Sequence, residues 1–353
     1  MVAAATTAKS ARLLPAILWW PLVFDRPTTD SAEYFANRLR LLQDVFVHGG
    51  VALTDRLNAP PHRLEAALSK WPVDQHRALE LVRQLAKHHR WRMVPGSPGP
   101  DPDGCQWAAT VVAHADGVVV LDSCACGHDC MRETPGTPVS KYGEAPWLQN
   151  LTDPVVTISK EWGSGELEAL WSPVLRDARS VTIVDRYIGR VAHKKNDALR
   201  FRRALTWVVR LWHEQNATRP RTLHLVTGQW LPVAEGQTRP APNSMQVQQH
   251  LVGVRHDLAA WPWLSLDIDL RGELKGDLSS QLPHNRYLHT DQGTWELGQG
   301  VDAFDTQGGV TPSTVTRQTV RRWDKVWRDC EALPQVLLAS VWERPDGRPE
   351  EGF

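Results

Sequence analysis

The sequence predicts an α/β protein built of two domains, and three observations carry that expectation. Short runs rich in Val, Ile, Leu and Trp alternate with longer stretches whose apolar residues recur every three or four positions, as strands alternate with helices. At 353 residues the chain is long for one domain and comfortable for two. Between Ser123 and Pro154 all periodicity disappears, as it does in a linker.

Composition narrows the function classes. Apolar residues at 42% with 23% charged describe a globular chain able to bury a core. Forty Lys and Arg balance forty Asp and Glu, so no global field draws the protein to nucleic acid or an anionic membrane, and any such binding needs a local patch. Five cysteines, three of them crowded together, do not form a secreted disulfide framework. The apolar stretch Leu13 to Phe24 follows Lys9 and Arg12 but contains Pro15 and Pro21, ends in Asp25-Arg26 and lacks a small-residue cleavage site. It is shorter than the roughly 20 residues of a membrane span. It reads as a buried strand, and the expected location is cytoplasmic.

In the first domain, residues 1–122, a small polar tail precedes a strand over Ala16 to Phe24. Ser31 to Val47 reads as a helix with Phe35, Leu39, Leu42 and Phe46 on one side. Val51 to Thr54 is a strand, and Pro61 to Trp71 and Val73 to Trp91 are helical. Residues 95–104 are a loop. Trp107 to Ala113 and Val118 to Leu121 read as a pair of strands around Ala115-Asp116-Gly117. The second domain, residues 155–343, has a strand at Val181 to Val184 and a helix at Asn196 to Asn216 with Leu205, Val208, Val209 and Trp212 at helical spacing. Then come a strand at Thr222 to Thr227, a helix at Ser244 to Trp261, a strand at Leu264 to Leu270, and a hairpin. Gln318 to Leu333 is a last helix, Val336 to Val341 a last strand, and residues 344–353 a loose tail.

Two candidate metal sites fall in or before the linker. Cys124, Cys126, His128 and Cys130, with Cys105 and His114 upstream, carry ligands suited to tetrahedral zinc. Candidates at every second residue lack the usual gap between paired ligands, and free thiols in a loop are the alternative. Asp25, Asp55 and Asp122 each end a predicted strand; carboxylates gathered at strand ends can hold Mg²⁺ for phosphodiester cleavage, as in PIN-type nucleases. Turn and capping roles are the alternative for Asp at such positions.

The hairpin, Leu282 to Asp305, carries the main candidate site. Tyr287, Leu288, Trp295 and Leu297 flank the polar turn Thr290-Asp291-Gln292-Gly293. Alternation along the first arm puts His284 and Arg286 on one side, where imidazole and guanidinium together can grip phosphate oxygens. Gly298 and Gly300 leave the backbone bare for close approach. A basic run, Arg186, Arg190, His193, Lys194, Lys195, Arg200, Arg202 and Arg203, follows a strand ending at Asp185. Its loop portion, with Lys194 and Lys195, would sit where α/β sheets bind ligands and could contact nucleic-acid phosphates. A solvated helix face is the alternative.

His284-x-Arg286, four residues, Asp291, six residues, Gly298 resembles the phospholipase D motif, with Arg in place of Lys and without the Ser and Asn that follow its glycine. The segment is still more similar to the phospholipase-D-like C-terminal domain of MIT-domain proteins. The matching pieces are Asp185-Arg186-Tyr187-Ile188, His284-Asn285-Arg286, Gly293-Thr294-Trp295 and Gly298-Gln299-Gly300-Val301-Asp302-Ala303-Phe304. The resemblance covers Ser180 to about Phe304. It implies a mixed sheet flanked by helices, a catalytic set of His284, Arg286 and Asp291, and a ligand-binding set of Asp185, Tyr187, Lys194, Lys195, Gly298, Gly300 and Asp302. The expected function is a non-catalytic phosphate- or polyanion-binding module, in a prokaryotic defence or conflict system. One alternative is a homodimeric phosphodiesterase or nuclease in which two copies of His284 meet, one as nucleophile. Another is a scaffold for partner proteins with a vestigial pocket. Residue by residue, His284 could equally bond to backbone, Arg286 pair with Asp302 or Asp185, and Asp291 shape the turn.

Overall fold

The structure, a computed structural model, describes residues 16–19, 21–25, 31–48, 51–54, 62–87, 91–93, 108–109, 117–122, 136–145, 147–148, 155–176, 178–190, 195–215, 220–231, 244–274, 277–305 and 310–336. The chain is α/β, with two sheets.

The first sheet contains β1 (Ala16–Trp19), β2 (Val51–Thr54), β3 (Trp91–Met93), β4 (Gly117–Val120) and β5 (Thr137–Pro138). Its order is β3-β2-β1-β4-β5, and every pairing is parallel. Parallel neighbours require crossovers; α1 (Ala32–His48), α2 (His62–Leu68) and α3 (Arg77–Lys87) lie between successive strands on that path. In α3, Ala78, Leu81, Val82 and Leu85 are buried at helical spacing, so one stripe supplies its packing.

The fold corrects several expectations. After Trp19 the chain turns into a 3₁₀ helix at Pro21–Phe24 rather than continuing as strand. Trp91, expected to close a helix, opens β3. β4 joins β1 in parallel, Ile17 beside Gly117 and Trp19 beside Val119, whereas the Asp116-Gly117 pair had suggested a hairpin. Ala108 and Ala109 are helical. β5 carries the first sheet into the stretch read as linker.

The second sheet begins at Val155. It contains β6 (Val155–Ile158), β7 (Ser180–Val184), β8 (Arg221–Trp230), β9 (Leu264–Glu273), β10 (Arg286–Thr290), β11 (Gly293–Leu297) and β12 (Ser313–Gln318). The order is β6-β12-β11-β10-β7-β8-β9. β7, β8 and β9 run parallel, and β10 turns the sheet antiparallel. The helices are α4 (Ser164–Leu175), α5 (Tyr187–Arg190), α6 (Lys195–Gln215), α7 (Ser244–Leu258) and α8 (Val320–Glu331). β6, α4 and β12 had no counterpart in the sequence reading, and Gln318 belongs to β12 rather than to the last helix. Of the last expected strand only Val336 lies within the described residues.

Two apolar clusters hold the second sheet. One unites α4, α6 and α7; within it Trp171 meets Phe304 edge-on at 5.0 Å and Trp295 at 6.3 Å. The other seats α8 against the strands through Trp323, Val326, Cys330 and Leu333 on Val184, Val226 and Tyr287. The tryptophans 171, 207, 212, 295 and 323 are all core residues, as their positions on apolar helix and strand faces imply. Burying a side chain of this size contributes roughly 3 kcal/mol or more.

Candidate functional site

The site forms where β7 ends. β10 is antiparallel to β7 with Tyr287 opposite Val184, so the start of β10 meets the carboxyl end of β7. β8 and β9 continue past that point, pairing as far as Trp230 and Glu273. The short helix α5 then lies across the extension.

Asp185, the first residue after β7, is 1% exposed. Its Oδ1 accepts from the Tyr187 amide at 3.0 Å and its Oδ2 from the Val301 amide at 3.1 Å. It thereby ties the end of β7 to the turn after β11. Gly300 makes this possible: its φ is 84°, a left-handed conformation suited to glycine, and a Cβ there would collide with Asp185 Oδ2.

Tyr187 is the centre of the cluster. The Arg286 guanidinium carbon lies 4.4 Å from its ring centroid, Arg186 5.4 Å and Arg190 5.8 Å. The His284 ring meets it edge-on at 6.4 Å. Cations gather against a π face by electrostatic attraction. His284 is exposed and Arg286 half-buried.

Each arginine is fixed in place by other contacts. Arg286 Nη1 donates to Gly298 O at 2.9 Å. Arg186 donates to Leu282 O at 2.9 Å and to Gln281 Oε1 at 3.3 Å. Arg190 pairs with Glu273 through Nε at 2.6 Å and Nη2 at 2.5 Å, with its guanidinium 3.7 Å from the Trp230 centroid. Burial lowers the Arg190 pKa, and the bonded Glu273 opposes that shift. Glu273, fully buried, also accepts from the Leu282 amide at 2.8 Å, which anchors the chain leading into His284. Gly228 lies against this carboxylate, where a Cβ would collide with Oε2.

Of the sequence candidates, the fold brings Asp185, Tyr187, His284, Arg286, Gly298 and Gly300 together. Gly298 contributes backbone: its amide donates to Thr314 O at 2.8 Å and its carbonyl holds Arg286. Asp291 does not join them. It sits in the hairpin turn at the far end of β10, roughly 16 Å along the strand from Arg286 at about 3.3 Å per residue. There its Oδ1 accepts from the Arg179 amide at 3.1 Å, ahead of β7, the turn-shaping role rather than the catalytic one. Lys194, the side chains of Lys195 and Asp302, and the zinc candidates Cys124, Cys126, His128 and Cys130 lie outside the described residues.

The basic run divides. Arg186 and Arg190 turn toward Tyr187. Arg202 instead grips Asp257 through Nε and Nη2 at 2.6 and 2.7 Å, and Arg203 grips Asp305 at 2.9 and 2.5 Å. Arg200 donates to Thr311 and lies 4.0 Å from Asp305. Sequence reasoning missed Glu273, Gln281 and Trp230, which hold the arginines. No local pattern marks them, because their partners lie far away in the chain.

In the first sheet, β2, β1 and β4 are adjacent, so the residues that follow them share one edge. Asp122 there acts as a cap, its Oδ1 accepting from the Ser140 amide at 2.8 Å. The Asp25 carbonyl accepts from the Tyr34 hydroxyl, and Asp55 lies outside the described residues. Among the described residues no three His, Cys, Asp or Glu side chains are grouped to hold a metal ion, and no helix is long and apolar enough to cross a membrane. No protein-family model matches the chain, and no curated protein matches it.

Proposed function

We propose that the second sheet carries a binding site for a phosphate-bearing ligand at the Tyr187 cluster, and that the site holds the ligand without turning it over. The observation that carries this reading is the gathering of Arg186, Arg190, Arg286 and His284 around one half-buried ring at the carboxyl end of a parallel strand, the usual place for ligands in open α/β sheets. Three guanidiniums face two buried carboxylates, Asp185 and Glu273, which leaves one positive charge in excess before His284 is counted. The Nε atoms of Arg186 and Arg286 have no acceptor among the described residues, and buried donors ordinarily have one. Guanidinium forks match the geometry of a phosphate group.

Binding without chemistry is favoured by the surroundings of His284. A histidine that serves as nucleophile or general acid is oriented by a third group. Among the described residues His284 makes a ring contact with Tyr187 and no hydrogen bond or ion pair.

The test is ³¹P line broadening of inorganic phosphate by the full chain, alongside cleavage assays on single-stranded DNA with and without chelator. The expected result is broadening that fades with added salt and is lost in Arg286→Ala, with no cleavage. Absence of broadening at millimolar phosphate, or broadening indifferent to Arg286→Ala, would overturn the reading. Cleavage that survives chelator and disappears in His284→Ala would replace it with a phosphohistidine enzyme.

A further inference from the structure

We propose that a second site, a cavity of about 230 Å³ along α6, receives the nucleobase of a nucleoside or nucleotide. It is separate from the Tyr187 cluster and does not depend on it.

The walls are held by two charged tethers. Arg202 binds Asp257 and ties α6 to the end of α7; Arg203 binds Asp305 and ties α6 to the segment after Phe304. Between the tethers one stretch of the helix, around Thr206, Trp207 and Arg210, lines an open cavity. Bidentate pairs fix both partners in orientation, so the cavity exists before any ligand arrives, and binding would require little rearrangement.

The lining selects the ligand. Trp207 and Phe304 stack 5.5 Å apart and 11° from parallel, giving the cavity a flat, apolar aromatic lining. Such a surface favours a planar ring. The rim places guanidinium donors beside carboxylate acceptors. An oxyanion would meet Asp257 and Asp305, and a hydrocarbon would strand the rim charges without water. A heteroaromatic ring with donors and acceptors on its edge satisfies both.

Each tethering arginine bonds its carboxylate through Nε and Nη2, which leaves the Nη1 hydrogens of the five-donor fork. Arg210 adds a further fork on the same helix face. Guanine matches this rim best: O6 and N7 accept from arginine, and its N1 and N2 hydrogens suit a carboxylate. The volume lies below the roughly 300–1,000 Å³ of pockets for drug-sized ligands, so the site fits one base and not a strand.

The experiment is calorimetric titration of the full chain with guanosine, adenosine, cytidine, uridine, guanosine monophosphate and inorganic phosphate. Guanosine is expected to bind most tightly, with guanosine monophosphate separating any added phosphate contact from the base contact. Leu199→Trp, at a lining residue 37% exposed, narrows the cavity without entering the core. It should weaken guanosine at least tenfold and leave the melting temperature unchanged. Arg210→Ala should also weaken guanosine, and Arg286→Ala should leave it as it is. The proposal is overturned if no nucleoside binds at millimolar concentration, if Leu199→Trp binds guanosine as the parent does, or if Arg286→Ala abolishes binding. Inorganic phosphate binding without nucleoside binding would sink this site while leaving the Tyr187 reading intact.

Discussion

The arginines that follow Asp185 form one basic run in the chain, yet its two ends live in different electrostatic worlds. At one end Arg186 and Arg190 converge with the distant Arg286 on a single ring, and two buried carboxylates face three guanidiniums. At the other end Arg202 and Arg203 each close on a carboxylate of their own. The first arrangement holds surplus positive charge in a partly dry place, whereas the second neutralises it pair by pair near water. The difference shows why a count of basic residues along a helix says little about anion binding: what decides is how many carboxylates the fold delivers to them, and how deeply.

The comparison breaks first, and most visibly, at Glu273. Glu273→Ala would strand Arg190, 7% exposed, beside the Leu282 amide it now anchors. Removing one partner of a buried pair costs roughly 3–5 kcal/mol, to be read from urea denaturation. A cost no larger than that of Arg202→Ala would mean that the two ends of the run do not differ in this way.

His250 sharpens the contrast at the second end. Burial, and then the neighbouring Arg202 charge, push its pKa down to about 4. The unfolded chain titrates near 6.5, so between these values the unfolded state binds more protons. Stability is full above about pH 6.5 and falls as the pH drops through about 4, by up to ~3 kcal/mol. His250→Gln should flatten that part of the stability–pH curve, measured by thermal melts from pH 7 to pH 4.

Smaller effects follow at Gly300 and Arg202. Gly300→Ala places a Cβ against Asp185 at a φ of 84° and should cost roughly 1–3 kcal/mol, with phosphate binding weakened alongside. Arg202→Ala removes a pair whose side chains are both 29% exposed, so its stability cost should stay within about 1 kcal/mol. Its effect on phosphate binding should be nil.

Much of the site was legible because its signals are local. Alternation along β10 placed His284 and Arg286 on one side, and both reach Tyr187. Gly300 announced the bare backbone that Asp185 needs. The hairpin followed from its turn residues and flanking aromatics. What could not be read were the long-range choices. Asp116-Gly117 has the chemistry of a hairpin turn, but β4 finds β1, a hundred residues earlier in the chain, and pairs in parallel. The helical period through Lys87 ran on into Trp91, hiding β3. Glu273 looked like an ordinary strand-end acid, because only the extension of β8 and β9 beyond β7 brings it under Arg190. Asp291 kept the right spacing for a catalytic motif while β10 carried it to the opposite end of the strand.

The measurement that bears most directly on the Tyr187 cluster is titration of inorganic phosphate into three proteins: the parent, Arg286→Ala and Arg202→Ala. Loss of one charge-assisted contact should weaken binding roughly tenfold or more in Arg286→Ala, with Arg202→Ala matching the parent. Equal weakening in both variants, or none in either, would contradict a phosphate site at Tyr187.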